Sequence, residues 1–143
     1  MIETDWHAAR RYLPVTEWRA RNRMGTMTEC RKANEVISLI GDKWTVHLVM
    51  LLVRGRRRFT ELQRAVDGIS RKMLTSTLRA LERDGYVTRS VFPTIPPRVE
   101  YELTELGMEL AAPLQALGAW AIANHERVIT ARRAYDARRA DEG

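Results

Sequence analysis

The sequence feature that most constrains the fold is a change of hydrophobic period at Gly85. Before this glycine, apolar residues recur every three to four positions, as they do on one face of a helix. After it they alternate, first in Tyr86–Phe92 and then in Val99–Leu103, which is the period of a strand. Three prolines within residues 93–97 exclude a strand there and predict a loop. The pattern therefore predicts a hairpin of two strands directly after a group of helices.

Two helices are predicted in the first part of this group. The first begins near Cys30 and carries apolar residues at positions 33, 36, 37 and 40, which is one stripe of a helix. Gly41 ends it, and Asp42 caps a second helix over Lys43–Arg54. Because almost every residue of the second helix is apolar, we expect it to be the buried centre of the fold.

A helix-turn-helix pattern follows over residues 60–84. Thr60-Glu61-Leu62-Gln63 matches a capping box, so a third helix is predicted to begin at Thr60 and to end near Gly68. Ser70 is a good N-cap for a fourth helix over Arg71–Asp84. With the hairpin over residues 86–103 as its wing, the predicted fold class is α+β and mostly helical. It is a winged helix-turn-helix with a two-stranded wing and extra N- and C-terminal helices.

The chain is predicted to finish in a long helix over residues 104–126, capped by Thr104, and a basic tail over residues 127–143, which frays from Ala131. Apolar residues follow this helix at a spacing of three to four, with no remaining partner inside so small a fold. Two interpretations stand: they form the seam of a dimer, or they cover the first two helices. The candidates are Leu110, Leu114, Leu117 and Trp120. Residues 1–28 form an N-terminal extension of unknown role.

The positive charge of the chain is concentrated in one segment. The whole sequence has a net charge of +6, whereas residues 54–98 contain eleven basic and four acidic residues. Such a concentration attracts a polyanion, most often a nucleic acid, although a solvated basic face with no partner has the same composition.

The fourth predicted helix carries its basic and its apolar residues on opposite faces. Leu74, Leu78 and Leu81 fall on one stripe at 100° per residue, so they are predicted to be buried. The opposite side shows cations and small hydroxyls, which suit guanine edges and phosphates. Its DNA-contact candidates are Arg71, Lys72, Thr75, Ser76, Arg79 and Arg83. The alternative is an ordinary solvated face of an amphipathic helix.

Two further arginines flank the helix-turn-helix. Arg98 lies at the base of the wing, where contact with phosphate or the minor groove is expected. Arg58 belongs to a run of three arginines, Arg56–Arg58, for which phosphate contact and plain solubility are equally good explanations.

Several blocks of the sequence resemble HxlR-type regulators, relatives of the MarR proteins. They are LIGDKWT at residues 39–45, RFTEL at 58–62, GISRKMLT at 68–75, LRALERDG at 78–85 and PPRVEYELT at 96–104, followed by Gly107. The resemblance implies one winged-helix domain over residues 29–126 that dimerises through its N- and C-terminal helices. It also implies a homodimer that binds a pseudo-palindromic operator in double-stranded DNA and regulates transcription.

Three residues are candidates for sensing an effector, either an oxidant or electrophile, or a small molecule. The resemblance places Cys30 just before the first helix, where some members of the family sense oxidants, and neighbouring cations favour a thiolate. An inert cysteine is the alternative, and Arg31 replaces the proline that often follows. His47 either lines an effector cavity or bonds a backbone carbonyl, and Trp44 is expected in the core.

Other classes of protein are disfavoured. The sequence contains no nucleophile elbow, phosphate-binding glycine loop or HExxH motif, so we expect no enzyme and no cofactor. One cysteine cannot complete a usual zinc site and fits a reducing cytoplasm, and no apolar run approaches the length of a membrane span. The remaining rival is a winged helix that binds proteins instead of DNA.

Overall fold

The computed structural model describes residues 27–143, so nearly all of the N-terminal extension lies outside the described residues. Within that range the chain forms five helices and three strands. In chain order they are α1 (Met27–Ile40), α2 (Lys43–Val53), β1 (Arg57–Arg58), α3 (Phe59–Ala65), α4 (Arg71–Arg83), β2 (Val87–Phe92), β3 (Arg98–Leu103) and α5 (Glu105–Asp141).

Helix α2 lies at the centre of the core, as its composition predicts. Leu48 and Val49 are fully buried, and they belong to one cluster with the leucines of α4 and the inward side chains of the sheet. The first part of α5 packs on α2 and β3 and contributes Ala111 and Leu114 to the same cluster. The core therefore holds α4 and the hairpin in a fixed relation to each other.

Three predicted helix starts are confirmed by their capping hydrogen bonds. The Asp42 carboxylate accepts from the backbone of Trp44 at 3.1 Å, and the Ser70 hydroxyl accepts from the backbone of Met73 at 3.0 Å. Thr104 Oγ1 accepts from the Gly107 backbone at 3.1 Å and donates to the Gly85 carbonyl at 2.6 Å. The same threonine thus begins α5 and ties it to the start of the wing.

The predicted start of the third helix is corrected. Helix α3 begins at Phe59, with Arg58 as its N-cap, and not at Thr60. The Arg58 backbone N–H donates to the Glu61 carboxylate at 2.9 Å. The cause is tertiary, because Arg57 and Arg58 pair with β3 and this pairing determines where the helix can begin.

The hairpin has a third strand that the sequence did not reveal. Strand β2 pairs antiparallel with β3 from Val87↔Leu103 to Phe92↔Arg98, which confirms the predicted wing. The two residues of β1 pair antiparallel with the other edge of β3, giving the strand order β1-β3-β2. Strand β3 is therefore central, and both of its edges are paired near Glu100.

Helix α5 is longer than predicted. It runs without interruption for 37 residues to Asp141, so the tail over residues 127–143 is largely helical and does not fray from residue 131. The alanines and arginines of the tail are strong helix formers, and local contacts such as Arg127 to Asn124 at 2.8 Å support the turns. By length and composition alone, α5 could cross a membrane, and only 17% of its most apolar 18-residue window is buried.

Candidate nucleic-acid interface

Helix α4 has the two faces that its sequence predicts. Leu74, Leu78 and Leu81 are at most 1% exposed. The opposite face is open to solvent, and its exposed members are Arg71, Lys72, Ser76, Arg79 and Arg83. Thr77, which the helical period did not single out, is also buried, and its hydroxyl donates to the Met73 carbonyl at 2.9 Å.

The first residues of α3 and α4 are in contact with each other. The Arg71 guanidinium lies 5.4 Å from the centre of the Phe59 ring, so an aromatic residue of α3 supports the first cation of α4. Thr75 is half-buried, and its hydroxyl donates to the Arg71 carbonyl at 2.8 Å. That hydroxyl therefore keeps only acceptor capacity for a ligand.

A groove of about 760 Å³ separates α4 from the wing. It is strongly cationic, because five arginines line it together with a single carboxylate, Glu82. The lining arginines are Arg58, Arg71, Arg79, Arg89 and Arg98. We call these five residues the groove arginines. They come from four separate elements, so the tertiary structure brings together cations that are up to 40 positions apart.

The remaining predicted residues of α4 lie outside this groove. Lys72 and Ser76 line a shallow depression on the solvent side of the helix, which Arg79 shares. Arg83 lines another depression, toward α1, and Arg79 also borders that one. Arg79 is thus the one predicted residue that borders all three surfaces, a position expected of a central contact.

Arg89 is a groove residue that sequence reasoning missed. It lies in the middle of β2, opposite Tyr101 of β3, and it is exposed. The signal for it was its membership of the basic segment over residues 54–98, but alternation along a strand does not reveal which face meets α4.

The three arginines before α3 separate into different environments. Both terminal nitrogens of Arg56 contact carboxylates, at 2.8 Å from Glu102 and 3.5 Å from Glu100, and these contacts raise the pKa of Arg56 above its ordinary value. Arg57 is half-buried in β1, whereas Arg58 lines the groove. Phosphate contact therefore stays a prediction for Arg58, whereas Arg56 is engaged by carboxylates of the sheet.

Arg98 is held at the base of the wing. Its guanidinium lies 4.3 Å from the centre of the Phe92 ring, on the neighbouring strand, and its Nε is 3.3 Å from a Glu100 oxygen. Both contacts are within the sheet, so the side chain is directed before any ligand arrives.

The candidate effector residues do not share one environment. Cys30 is a half-buried free cysteine inside the first turn of α1, not before it. Trp44 is half-buried against the core, with Lys43 Nζ 4.4 Å from its ring centre. His47 is exposed and its Nδ1 lies 2.8 Å from the Lys43 carbonyl, the backbone contact that was one of its two interpretations.

The four seam candidates on α5 divide into two pairs. Leu114 is 4% exposed and Leu110 is half-buried against the core, so these two residues pack inside the chain's own fold. Leu117 and Trp120 are 58% and 47% exposed. They begin the part of α5 that has left the core.

Among residues 27–143, no three His, Cys, Asp or Glu side chains are close enough together to hold a metal ion. The arrangement is instead a helix with a cationic face beside a cationic hairpin. These features define the class of winged helix-turn-helix DNA-binding proteins.

Comparison with known proteins identifies the family within this class. The model of HxlR-like helix-turn-helix proteins matches residues 39–129. The chain belongs to this family of transcriptional regulators, which confirms the resemblance found in its sequence.

Individual relatives agree with this assignment. The chain is 38% identical over 100 residues to the HTH-type transcriptional regulator YtfH of Escherichia coli K12, covering 70% of this chain and 79% of the relative. The structure of the YtfH regulator of Salmonella typhimurium superimposes with a TM-score of 0.65 at 38% identity, over 71% of this chain and 90% of that one. The structure of the redox regulator HypR in its reduced form superimposes with a TM-score of 0.65 at 35% identity, over 69% of this chain and 98% of that one.

Proposed function

We propose that this protein is a cytoplasmic, sequence-specific regulator of transcription that binds a pseudo-palindromic DNA operator as a homodimer and has no catalytic role. The observation that carries the proposal is the groove between α4 and the wing, where five arginines face one carboxylate. A cationic groove beside an exposed helix complements the phosphates that border a major groove.

The roles of the side chains follow from their positions. With α4 in the major groove, Lys72, Ser76 and Arg79 are on the exposed face that would meet base edges. Arg58 and Arg98 sit beside that helix and would contact phosphates, which orient the protein without reading sequence. The wing would follow the backbone next to the helix.

A second copy of the chain is the partner that we propose for α5. Beyond Leu114 the helix exposes large apolar side chains, including Leu117, Trp120 and Ile122, the last of which is 77% exposed. Helix α1 exposes Val36 and Ile37 in the same way. Pairing these faces across a two-fold axis would remove them from water and would place two α4 helices roughly 34 Å apart, one turn of DNA.

The first experiment is a fluorescence-anisotropy titration with labelled duplex taken from beside the protein's own gene, repeated across a salt series. We expect tight binding that depends on sequence and weakens steeply with salt. A scrambled duplex of equal length is the control. If the protein ignores every duplex but captures a protein, the rival interpretation as a protein-binding winged helix replaces this one.

An oxidant response is the effector class that we propose, because the similar regulator HypR is a redox regulator and Cys30 is a free thiol near a helix start. Adding a thiol oxidant to the preformed complex should release the DNA from the wild-type protein but not from Cys30→Ser. Release from both proteins, or from neither, would point to a small-molecule effector or to none.

A further inference from the structure

Glu100 lies between two of the groove arginines, Arg58 and Arg98, although it does not line the groove itself. Its carboxylate is on the middle strand β3, directly opposite Arg58 of β1, and the side chain is only 14% exposed. One oxygen is 3.3 Å from Arg98 Nε and 3.9 Å from Arg58 Nε, and the other is 3.5 Å from Arg56. A single carboxylate therefore joins arginines from two separate segments of the chain.

We propose that Glu100 is a positioning residue for DNA binding: it holds Arg58 and Arg98 in the orientation in which they contact phosphate. The inference rests on the proposed function, since it assigns a role within the same DNA-binding surface. Glu100 itself would not touch the DNA.

A carboxylate beside arginines could simply neutralise their charge, but the atoms in contact here support a positioning role. Glu100 faces the Nε of both Arg58 and Arg98, and no ion pair in residues 27–143 involves the terminal nitrogens of either side chain. The terminal nitrogens form the fork that binds a phosphate in a bidentate manner. Each guanidinium is thus contacted at its Nε, while its two terminal nitrogens have no ion-pair partner among residues 27–143 and can bind a phosphate.

Arg98 has two supporting neighbours, Glu100 and Phe92. Its Nε is buried and has no hydrogen-bond acceptor among the described residues, so the nearby carboxylate is what compensates its charge. The Phe92 ring supports the guanidinium face at 4.3 Å. A side chain fixed in this way loses less rotamer entropy when it meets a phosphate.

Glu102 provides the contrast, two residues along the same strand. It is 51% exposed and pairs with Arg56, whose two terminal nitrogens are both engaged by carboxylates. Because Arg56 does not line the groove, Glu102 supports the sheet and positions no groove arginine.

Glu100 could either neutralise the arginines or position them, and the two roles predict opposite changes in DNA affinity for the same substitution. Glu100→Gln removes a negative charge near the DNA, and if the carboxylate only neutralises arginines, binding should tighten. If the carboxylate positions them, binding should weaken, because one amide oxygen cannot serve arginines on both sides and the amide N–H₂ repels them.

The experiment measures operator affinity and its salt dependence for the full-length wild type, Glu100→Gln and the matched control Glu102→Gln. We expect Glu100→Gln to weaken binding about fivefold, because the cost of ordering four arginines, two in each subunit of the proposed dimer, exceeds the gain from the more positive charge. Glu102→Gln should bind as tightly as the wild type or more tightly. In an Arg58→Ala/Arg98→Ala background, Glu100→Gln should no longer weaken binding. Equal or tighter binding by Glu100→Gln would overturn the proposal.

A second readout uses no DNA and so separates this proposal from the proposed function. In NMR spectra recorded without DNA, the Nε–H proton of Arg98 should exchange with water markedly faster in Glu100→Gln than in the wild type, whereas Glu102→Gln should leave this exchange unchanged. Equal exchange in the wild type and in Glu100→Gln would overturn the positioning role. If the wild type binds no duplex, the proposed function fails, whereas this measurement still decides whether Glu100 holds Arg98.

Discussion

The cationic groove and the part of α5 beyond Leu114 are both exposed, but they differ in how they are supported. Around the groove, arginines are held within the protomer: Arg71 by Phe59, and Arg98 by Phe92 and Glu100. On α5, Leu117 and Trp120 project from a helix that has left the core.

This difference indicates which kind of partner each surface fits. A charged surface is stable in water by itself, so it can be preorganised before its partner arrives. An exposed apolar surface costs free energy until it is covered, so it favours the second copy of the chain that we propose as its partner. The first surface therefore fits a ligand that comes and goes, and the second fits a permanent subunit.

The largest effect is expected from Trp120→Glu on α5. A carboxylate at this position should prevent the second copy from covering the helix, because burying an unpaired charge is costly. We expect a monomer in analytical ultracentrifugation and operator affinity lowered at least about 100-fold, since the two half-sites no longer bind as one unit. Gln115→Glu, on an exposed polar position of the same helix, is the control. A Trp120→Glu protein that stays dimeric would remove α5 from the interface.

Arg79→Ala should weaken operator binding about 30-fold without changing the oligomeric state. The estimate takes about 1 kcal/mol for one base contact in each of two subunits. Anisotropy gives the affinity, and ultracentrifugation gives the state. Arg133→Ala, which removes the same charge from the outer part of α5, should leave both unchanged. Equal loss of dimer and DNA binding would mean that the two surfaces are not separate.

Gly107→Ala tests the junction between the two regions. A Cβ at this position would collide with the Tyr86 carbonyl, where α5 crosses the start of the wing. Overpacking of this kind costs about 2 kcal/mol, and we expect the melting temperature to fall by about 6 °C. Gly118→Ala, where a Cβ meets nothing within 4 Å, is the matched control and should not destabilise the protein. An unchanged melting temperature for Gly107→Ala would contradict the close packing.

The smallest effect is expected from deleting residues 127–143. This part of α5 is helical but lies largely beyond the family match at residues 39–129 and beyond the exposed residues Leu117–Ile122. We expect operator affinity to change less than about threefold, because charges remote from the groove act weakly through salt. A large loss of affinity or of dimer would make the basic tail part of one of the two surfaces.

Features that depend on neighbouring residues were predictable from the sequence. Caps such as Ser70 and Thr104, the apolar stripe of α4 and the alternation in the wing all act within a few positions, and each was confirmed. The same holds for the family assignment, which rests on ordered blocks along the chain.

Features that depend on distant residues were not predictable. Strand β1 has only two residues, too few to show a period, and it exists because β3 offers a free edge. The separation of Leu114 from Leu117 follows from where α5 leaves the core, since both occupy the same stripe.

The sequence by itself determined the order of the helices and of the two wing strands, the buried and exposed faces of α4 and the family to which the chain belongs. Only the tertiary structure decided which arginines share the groove, why α3 begins at Phe59 and where Glu100 lies among its arginines. The physical reason is the sequence separation of the interacting residues. Periodicity and capping involve near neighbours, whereas the ion pairs and the edge pairing of β3 join residues about 40 positions apart.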